Sequence, residues 1–375
     1  MDFKRKSIVR LNDATKTLWI FGAGASYSPP YKVPVQDKLL DSFGNKTPGG
    51  RPRVKEEFIK LRERVENVCK KILPGSTLND VTLEEVFSSY EIQDQAGWAT
   101  DDEKKEAIAA IQDLKKMLIR TTGVKGRGDA LKFRPHKRAG QVSPYAELLE
   151  KLFPTGCNDR VIRGHVLVTM NYDINLDRCV LNMREKPYGE IDLDYGVEFA
   201  NYRISGNFYR PGRRSVLLLR LHGGLNWKRC LACHALFTTV NSHANVSPRE
   251  SCGMCGSERL DYVIVYPSFL RNYSDPVLQM VWGRFLEELV SADRWIFIGY
   301  SLPPADVNLR VLLRHALKMR TTKVANTSII WVGKRDNPSD SNWLSLGERF
   351  HHLFGDHAAA WENAEDGFEG FVRSL

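Results

Sequence analysis

The sequence predicts an α/β protein built on a doubly wound parallel sheet, and three observations support this prediction. Five apolar runs have the length and composition of strands that are buried on both faces. Helical stretches and loops separate these runs, as in βαβ units. The first run ends in a glycine-rich turn, which is a common feature of ligand-binding sheets. The five runs are TLWIFG, HVLVTMNY, VLLLRLHG, RWIFIGYS and SIIWVGK.

The turn after the first run, GAGAS, begins with Gly22 and Gly24. Glycines at this edge of a parallel sheet let the backbone approach a phosphate, so the turn suggests a nucleotide. The spacing departs from the dinucleotide pattern GxGxxG, because Tyr27 stands at the third glycine position. A plain structural turn is the alternative interpretation.

Length and composition exclude several classes of protein. A chain of 375 residues that is 42% hydrophobic can bury a large core. No apolar run approaches the roughly 18 residues needed to cross a bilayer, and no apolar segment follows the basic start MDFKRKSIVR. We therefore predict a cytoplasmic protein with no membrane partner. Cys69, Cys157 and Cys179 are expected to be reduced, partly buried thiols.

Between the first and second runs the pattern changes to charged and apolar residues at helical spacing, from Val54 to Arg120. This predicts a helical module inserted after the first strand. The segment from Lys115 to Arg138 holds nine basic residues and one acidic residue, which is nearly the whole net charge of +9. It is interpreted as a solvated loop or as a contact for nucleic acid or another acidic partner.

The strongest chemical signal is a pair of CxxC motifs separated by eighteen residues. Thiolates at this spacing can occupy adjacent corners of a tetrahedron, so two such pairs predict a closed, structural zinc site. An iron–sulfur cluster is the alternative metal centre. The predicted ligands are Cys230, Cys233, Cys252 and Cys255.

These features divide the chain into five segments. Residues 1–50 hold the first strand and turn, and residues 51–139 form the helical module with its basic loop. The Rossmann-like domain continues over 140–228, the zinc ribbon covers 229–258, and 259–375 completes the domain with C-terminal helices.

Three further motifs follow GAGAS in order: TMNYD from Thr169, LHGGLNW from Leu221 and GYSLPPAD from Gly299. With a four-cysteine ribbon between the second and third of these, the set resembles the sirtuin family of NAD-consuming enzymes. It is most similar to the divergent bacterial branch associated with defence against phage. The resemblance extends from about Leu18 to Asp306.

The resemblance implies roles for individual residues. It makes Asn171 the residue that positions the nicotinamide ribose or the attacking water, and His222 the general base on a ribose hydroxyl. The first turn is expected to bind the phosphates and adjoining ribose, Asp173 the nicotinamide end, and the last turn the adenosine half. The implied NAD-binding residues are Ala23, Gly24, Ala25, Ser26, Asp173, Gly299, Tyr300 and Ser301.

The residues themselves allow other interpretations. Each motif follows a predicted parallel strand, so the side chains should converge on one crevice. His222 is alternatively a core histidine at a strand end. Asn171 or Asp173 is alternatively the N-cap of a helix over INLDRCVLN.

Departures from the family pattern bear on the reaction. The chain has PPYKVPVQDKLL where deacetylases carry GIPDFR, and Met170 replaces a glutamine. After the ribbon it has VIVYPSFLRNYSDP in place of the segment that clamps an acylated peptide. Water is then the expected acceptor, which predicts an NAD hydrolase releasing nicotinamide and ADP-ribose. The alternatives are an NAD-dependent protein deacylase and a module that senses NAD or ADP-ribose for a partner.

Partners are also implied by the resemblance. Members of the divergent branch are commonly paired with a second protein, among them DNA-translocating ATPases. The helical insertion and the basic segment offer surfaces for a homo-oligomer and for such a partner.

Overall fold

The computed structural model describes residues 5–6, 9, 11, 15–28, 52–72, 75, 81–122, 143–183, 191–200, 214–238, 251–320, 328–334, 340–361 and 366–375. The chain divides into two compact units. The larger unit comprises residues 1–32, 124–264 and 274–375, and the smaller comprises 33–123 and 265–273. Residues 265–273 thus group with the helical segment, although the sequence predicted them to be in the Rossmann-like part.

The larger unit is built on a parallel sheet of eight strands in the order β1-β11-β10-β9-β2-β3-β5-β4. Its central strands are mainly apolar and buried, as expected for a sheet covered on both faces. The strands are β1 (Arg5–Lys6), β2 (Thr17–Phe21), β3 (His165–Thr169), β4 (Asp192–Asp194), β5 (Ser215–Arg220), β9 (Arg294–Ile298), β10 (Ser328–Val332) and β11 (Ala358–Trp361).

The five strands predicted from the sequence are confirmed as β2, β3, β5, β9 and β10. The stretch from Asn342 was expected to form closing helices, and among its described residues it contains two α-helices and a strand that was not expected. It includes β11, a strand of sequence AAAW that pairs with β10 and β1. Three alanines give little strand signal, so the pairing comes from the neighbouring strands rather than from local propensity.

The helices of the larger unit vary in length. They are α1 (Ala23–Tyr27), α5 (Pro144–Leu152), α6 (Asp159–Arg163), α7 (Asn175–Asn182), α8 (Pro276–Ser291), α9 (Val307–Met319), α10 (Ser341–Phe354) and α11 (Gly367–Ser374). Among the described residues, no helix has the length and apolar character that a bilayer crossing requires.

A second sheet in the larger unit is antiparallel, with the order β7-β6-β8. Its strands are β6 (Gly223–Cys230), β7 (Leu236–Thr238) and β8 (Leu260–Ile264). Gly223 begins it with a φ of 68°, and a Cβ there would lie 1.9 Å from the Val263 carbonyl oxygen. Only glycine fits where the chain leaves the parallel sheet and enters the ribbon.

The smaller unit holds the helices α2 (Pro52–Ile72), α3 (Leu83–Gln95) and α4 (Asp101–Thr122). A capping box of Thr82 and Glu85 begins α3, and an ion pair of Arg64 and Asp113 links α2 to α4 at 2.6 Å. The basic segment begins within α4, and its residues from 123 to 138 lie outside the described residues.

Candidate functional site

Four neighbouring strands end at the same level of the parallel sheet. Phe21 on β2 lies opposite Thr169 on β3 and Ile298 on β9, and Thr169 lies opposite Arg220 on β5. Each strand leads directly into one of the four motifs. The register therefore brings the four turns to a single edge, where parallel sheets commonly bind ligands.

The first and last turns pack backbone against backbone. The Gly22 amide donates to the Ile298 carbonyl at 3.0 Å, and the Gly24 amide donates to the Gly299 carbonyl at 2.8 Å. A Cβ on Gly24 would lie 3.0 Å from the Gly299 backbone. From the sequence, Gly24 was expected to let the backbone approach a phosphate. A side chain at this position would instead contact the neighbouring turn.

Asn171 joins the second motif to the first. Its Nδ2 donates to the Gly22 carbonyl and to Ser26 Oγ, each at 2.9 Å, and lies 3.4 Å from the Tyr145 hydroxyl. All these polar atoms are buried. Nδ2 of Asn171 therefore holds the GAGAS turn, and Ser26 is part of the same network.

Asp173 is also part of the network. Its Oδ1 accepts from the amide of Asn175, the first residue of α7, at 3.0 Å. The N-cap position of α7 is Ile174, so the N-cap interpretation was wrong for both Asn171 and Asp173. Burial raises the pKa of the Asp173 carboxyl above its ordinary value. Hydrogen bonds from Asn175 and Ser26 and the charge of Arg220 offset part of that increase.

His222 lies two residues after the end of β5 and is 6% exposed. Its Nδ1 is 3.2 Å from the Met170 carbonyl oxygen, which can only accept a hydrogen bond. In a neutral ring the proton is therefore on Nδ1, and Nε2 is the nitrogen able to take up a proton. The Tyr172 ring stacks on the imidazole at a centroid distance of 6.2 Å.

The GYSLPPAD turn contains both buried and exposed residues. Gly299 has a φ of 60°, and Leu302 has a φ of 49°. Tyr300 is buried and its hydroxyl donates to Asp306, so its ring is part of the core. Ser301 is exposed, and its carbonyl accepts from Arg349 Nε at 2.7 Å.

Two side chains at the site were not singled out in the sequence. Tyr145 on α5 is buried, and its hydroxyl lies 3.0 Å from Ser26 Oγ. Arg220, the last residue of β5, is fully buried and pairs with Asp177. A charge inside the apolar run VLLLRLHG was the available signal, since a buried arginine must find partners.

The four predicted zinc ligands come together at the end of the antiparallel sheet. Their sulfurs all lie within 4.8 Å of one another, with Cys230 and Cys255 3.6 Å apart and Cys233 and Cys252 3.5 Å apart. A tetrahedral zinc with Zn–S bonds of about 2.3 Å separates its sulfurs by about 3.8 Å. The four thiols therefore fit a closed, structural zinc site.

A cleft of about 280 Å³ lies at the opposite edge of the sheet, where β3 begins. Lys151, Cys157, Asn158 and His165 are among its lining residues. None of its lining residues belongs to the four motifs, so the cleft is separate from the candidate site.

No protein-family model matches the chain, and no curated protein matches it. Among solved structures it is similar to a Sir2 homologue in complex with NAD, with 16% identity, 99% of this chain and 96% of that chain covered, and a TM-score of 0.42. A Sir2 homologue mutant bound to ADP-ribose has 15% identity, coverages of 96% and 92%, and a TM-score of 0.39. A Sir2 complex with a p53 peptide and NAD⁺ has 15% identity, coverages of 95% and 90%, and a TM-score of 0.38. These values are too low to transfer a substrate or an activity.

Proposed function

We propose that the chain is a sirtuin-like NAD hydrolase that cleaves the bond between nicotinamide and ribose. The observation that carries this proposal is the pair of 2.9 Å hydrogen bonds from Asn171 to Gly22 and Ser26. They join the two motifs to which the resemblance gives the phosphates, the ribose and the attacking water. The strand register supports the same proposal, because it places the LHGG and GYS turns at the same edge.

His222 suits the role of general base. Its Nδ1 faces the Met170 carbonyl, which favours the tautomer with the proton on Nδ1, and the Tyr172 ring lies alongside the imidazole. A base held in this way needs no reorganisation before it removes a proton from a ribose hydroxyl or a water. Gly223, which follows it, fixes the direction of the chain through its positive φ.

Cleavage of NAD leaves an oxocarbenium-like sugar that water then attacks. Such a reaction depends on positioning and on a base near neutrality more than on covalent chemistry by the protein. The network around Asn171 supplies rigidity, because Ser26 and Tyr145 are buried and bonded to it. The amides of Gly24 and Ala25 already donate to the Gly299 and Gly22 carbonyls. The NAD phosphates would therefore accept hydrogen bonds from other amides of the turn.

The test is incubation of the purified protein with NAD, with and without an acetylated peptide, while nicotinamide and ADP-ribose products are measured. We expect nicotinamide and ADP-ribose at a rate that the peptide does not change. His222→Ala should lower turnover by about a hundredfold to ten-thousandfold, and Asn171→Ala by about a hundredfold. Both variants should keep their zinc.

Other products would assign another function. Consumption of the acetylated peptide together with NAD would make the protein a deacylase. Binding of ADP-ribose without any turnover by the parent would favour the sensor interpretation. If both variants cleave NAD as fast as the parent, the catalytic assignment is wrong.

We further propose that NAD depletion by this activity serves defence against phage. The support is the resemblance of the four ordered motifs and the ribbon to the divergent bacterial branch. Infection of cells that carry the parent or His222→Ala tests it, since only the parent should lower cellular NAD during infection.

A further inference from the structure

We propose that Arg220 is a positioning residue of this site, whose single guanidinium fixes the TMNYD turn against the segment that carries His222. The inference rests on the proposed function for its catalytic consequence. Its structural basis is the set of contacts made by one fully buried side chain.

Arg220 spans two of the four turns. The two N–H groups of its Nη2 are shared among three successive carbonyls, those of Asn171 at 2.8 Å, Tyr172 at 3.1 Å and Asp173 at 2.8 Å. Its Nε donates to the Gly223 carbonyl at 3.0 Å. The planar fork of arginine presents donors in several fixed directions, which a lysine ammonium cannot reproduce.

A buried network holds the guanidinium in place. Nη1 pairs with Asp177 on α7, and both side chains are at most 2% exposed. Asp177 also accepts a hydrogen bond of 2.6 Å from the Tyr195 hydroxyl, which accepts one of 2.8 Å from Asn226. Asp177 therefore balances the charge of Arg220 and helps to fix its orientation.

The contacts of Arg220 determine where the candidate catalytic groups stand. Arg220 binds the backbone carbonyls of Asn171 and Asp173, whose side chains belong to the candidate site. Its bond to Gly223 fixes the residue next to His222. Loss of the fork would free the TMNYD turn to shift relative to His222, and a displacement of about 1 Å can lower turnover by about a hundredfold. The hydrogen bonds of Arg220 go to Asn171, Tyr172, Asp173, Asp177 and Gly223, whereas Gly24 packs directly on the Gly299 backbone.

Arg220→Lys and Arg320→Lys are the matched pair for the test. Lysine at position 220 keeps a positive charge beside Asp177 but loses the fork. Arg320, which follows α9, is another buried arginine that binds carbonyls. Its acceptors are Leu289 and Ala292, which precede β9, so it lies at the opposite edge of the sheet, where the strands begin. Both substitutions remove a buried fork, so a general loss of stability should affect both proteins.

We expect Arg220→Lys to lower kcat by about tenfold to a hundredfold while KM for NAD stays within about threefold. Arg320→Lys should lower the melting temperature and leave kcat unchanged. Equal kcat in the two variants would overturn the proposal. So would a loss in Arg220→Lys that appears in KM alone.

Hydrogen exchange separates this inference from the proposed function. In Arg220→Lys, the amides of residues 170–174 and 222–224 should exchange faster than in the parent and in Arg320→Lys. If the parent does not cleave NAD, the proposed function fails, while unchanged exchange at these amides refutes the positioning role. Should Arg220→Lys not fold, the double variant Arg220→Met with Asp177→Asn removes both charges and is measured in the same way.

Discussion

At the scale of single residues, the candidate site depends on places where two backbones touch. Gly299 combines a φ of 60° with a space in which a Cβ would lie 2.2 Å from the Ala25 amide nitrogen. On the opposite side, a Cβ on Gly24 would lie 3.0 Å from the Gly299 backbone. These glycines fix the distance between the first and last turns, whatever ligand the turns bind.

Gly299→Ala should therefore destabilise the protein and weaken the binding of NAD or ADP-ribose. We expect a loss of about 1–3 kcal/mol from the strained backbone, together with separation of the two turns. Thermal unfolding and calorimetric titration with ADP-ribose measure the two effects.

The control for this variant is Gly283→Ala. Gly283 is exposed within α8 and has no neighbour within 4 Å of an added Cβ, so alanine should be neutral or stabilising there. If Gly299→Ala binds ADP-ribose as tightly as Gly283→Ala, the packing of the two turns is not required for binding.

At the scale of elements, the ribbon is made of two similar knuckles. The Cys230 carbonyl accepts from the His234 amide at 2.9 Å, and the Cys252 carbonyl accepts from the Gly256 amide at 2.8 Å. His234 and Gly256 both have positive φ, of 59° and 74°. Because His234 occupies the same position as Gly256, its role is to end the turn of a knuckle. It is not needed as a zinc ligand, since four cysteines already complete the coordination of zinc.

Cys252→Ser should release the metal and destabilise the ribbon, because zinc binding supplies folding free energy to small modules. His234→Ala should keep one zinc per chain. Elemental analysis and thermal unfolding of the two variants against the parent measure these effects. Zinc loss from the His234 variant, or iron instead of zinc in the parent, would contradict the assignment.

The elements also show which features the sequence could predict. The five long strands were predictable because apolar runs in a covered sheet need no tertiary information. β4 and β11 were missed because they are three and four residues long and take their conformation from neighbouring strands. The residues of the motifs could be named in advance, but the contacts of Arg220 and Tyr145 depend on helices distant in the chain. A charged residue in a buried strand indicates that it has a polar partner, but the sequence does not identify that partner.

At the scale of the whole molecule, the charge is uneven and the chain forms two compact units. The basic segment from Lys115 to Arg138 stays a prediction as a contact for nucleic acid or another partner, since most of it lies outside the described residues. A cell that contains an NAD hydrolase must restrain it, because uncontrolled hydrolysis would remove a cofactor that the cell itself needs. A large helical module and a basic segment provide surfaces through which assembly could do so.

We therefore predict that the active form is an assembly, either a homo-oligomer or a complex with a second protein such as a DNA-translocating ATPase. Formation of a homo-oligomer follows mass action, so the NAD turnover per chain should rise as the protein concentration passes through the range in which the oligomer forms. A stable interface buries about 800 Å² on each partner, and the helical module is a candidate for that surface. Light scattering and turnover measured over the same dilution series test this. If turnover per chain stays low at every concentration, restraint must be relieved by a partner, and adding the candidate ATPase with DNA should raise it. A monomer that hydrolyses NAD at its full rate at every dilution would contradict regulation by assembly.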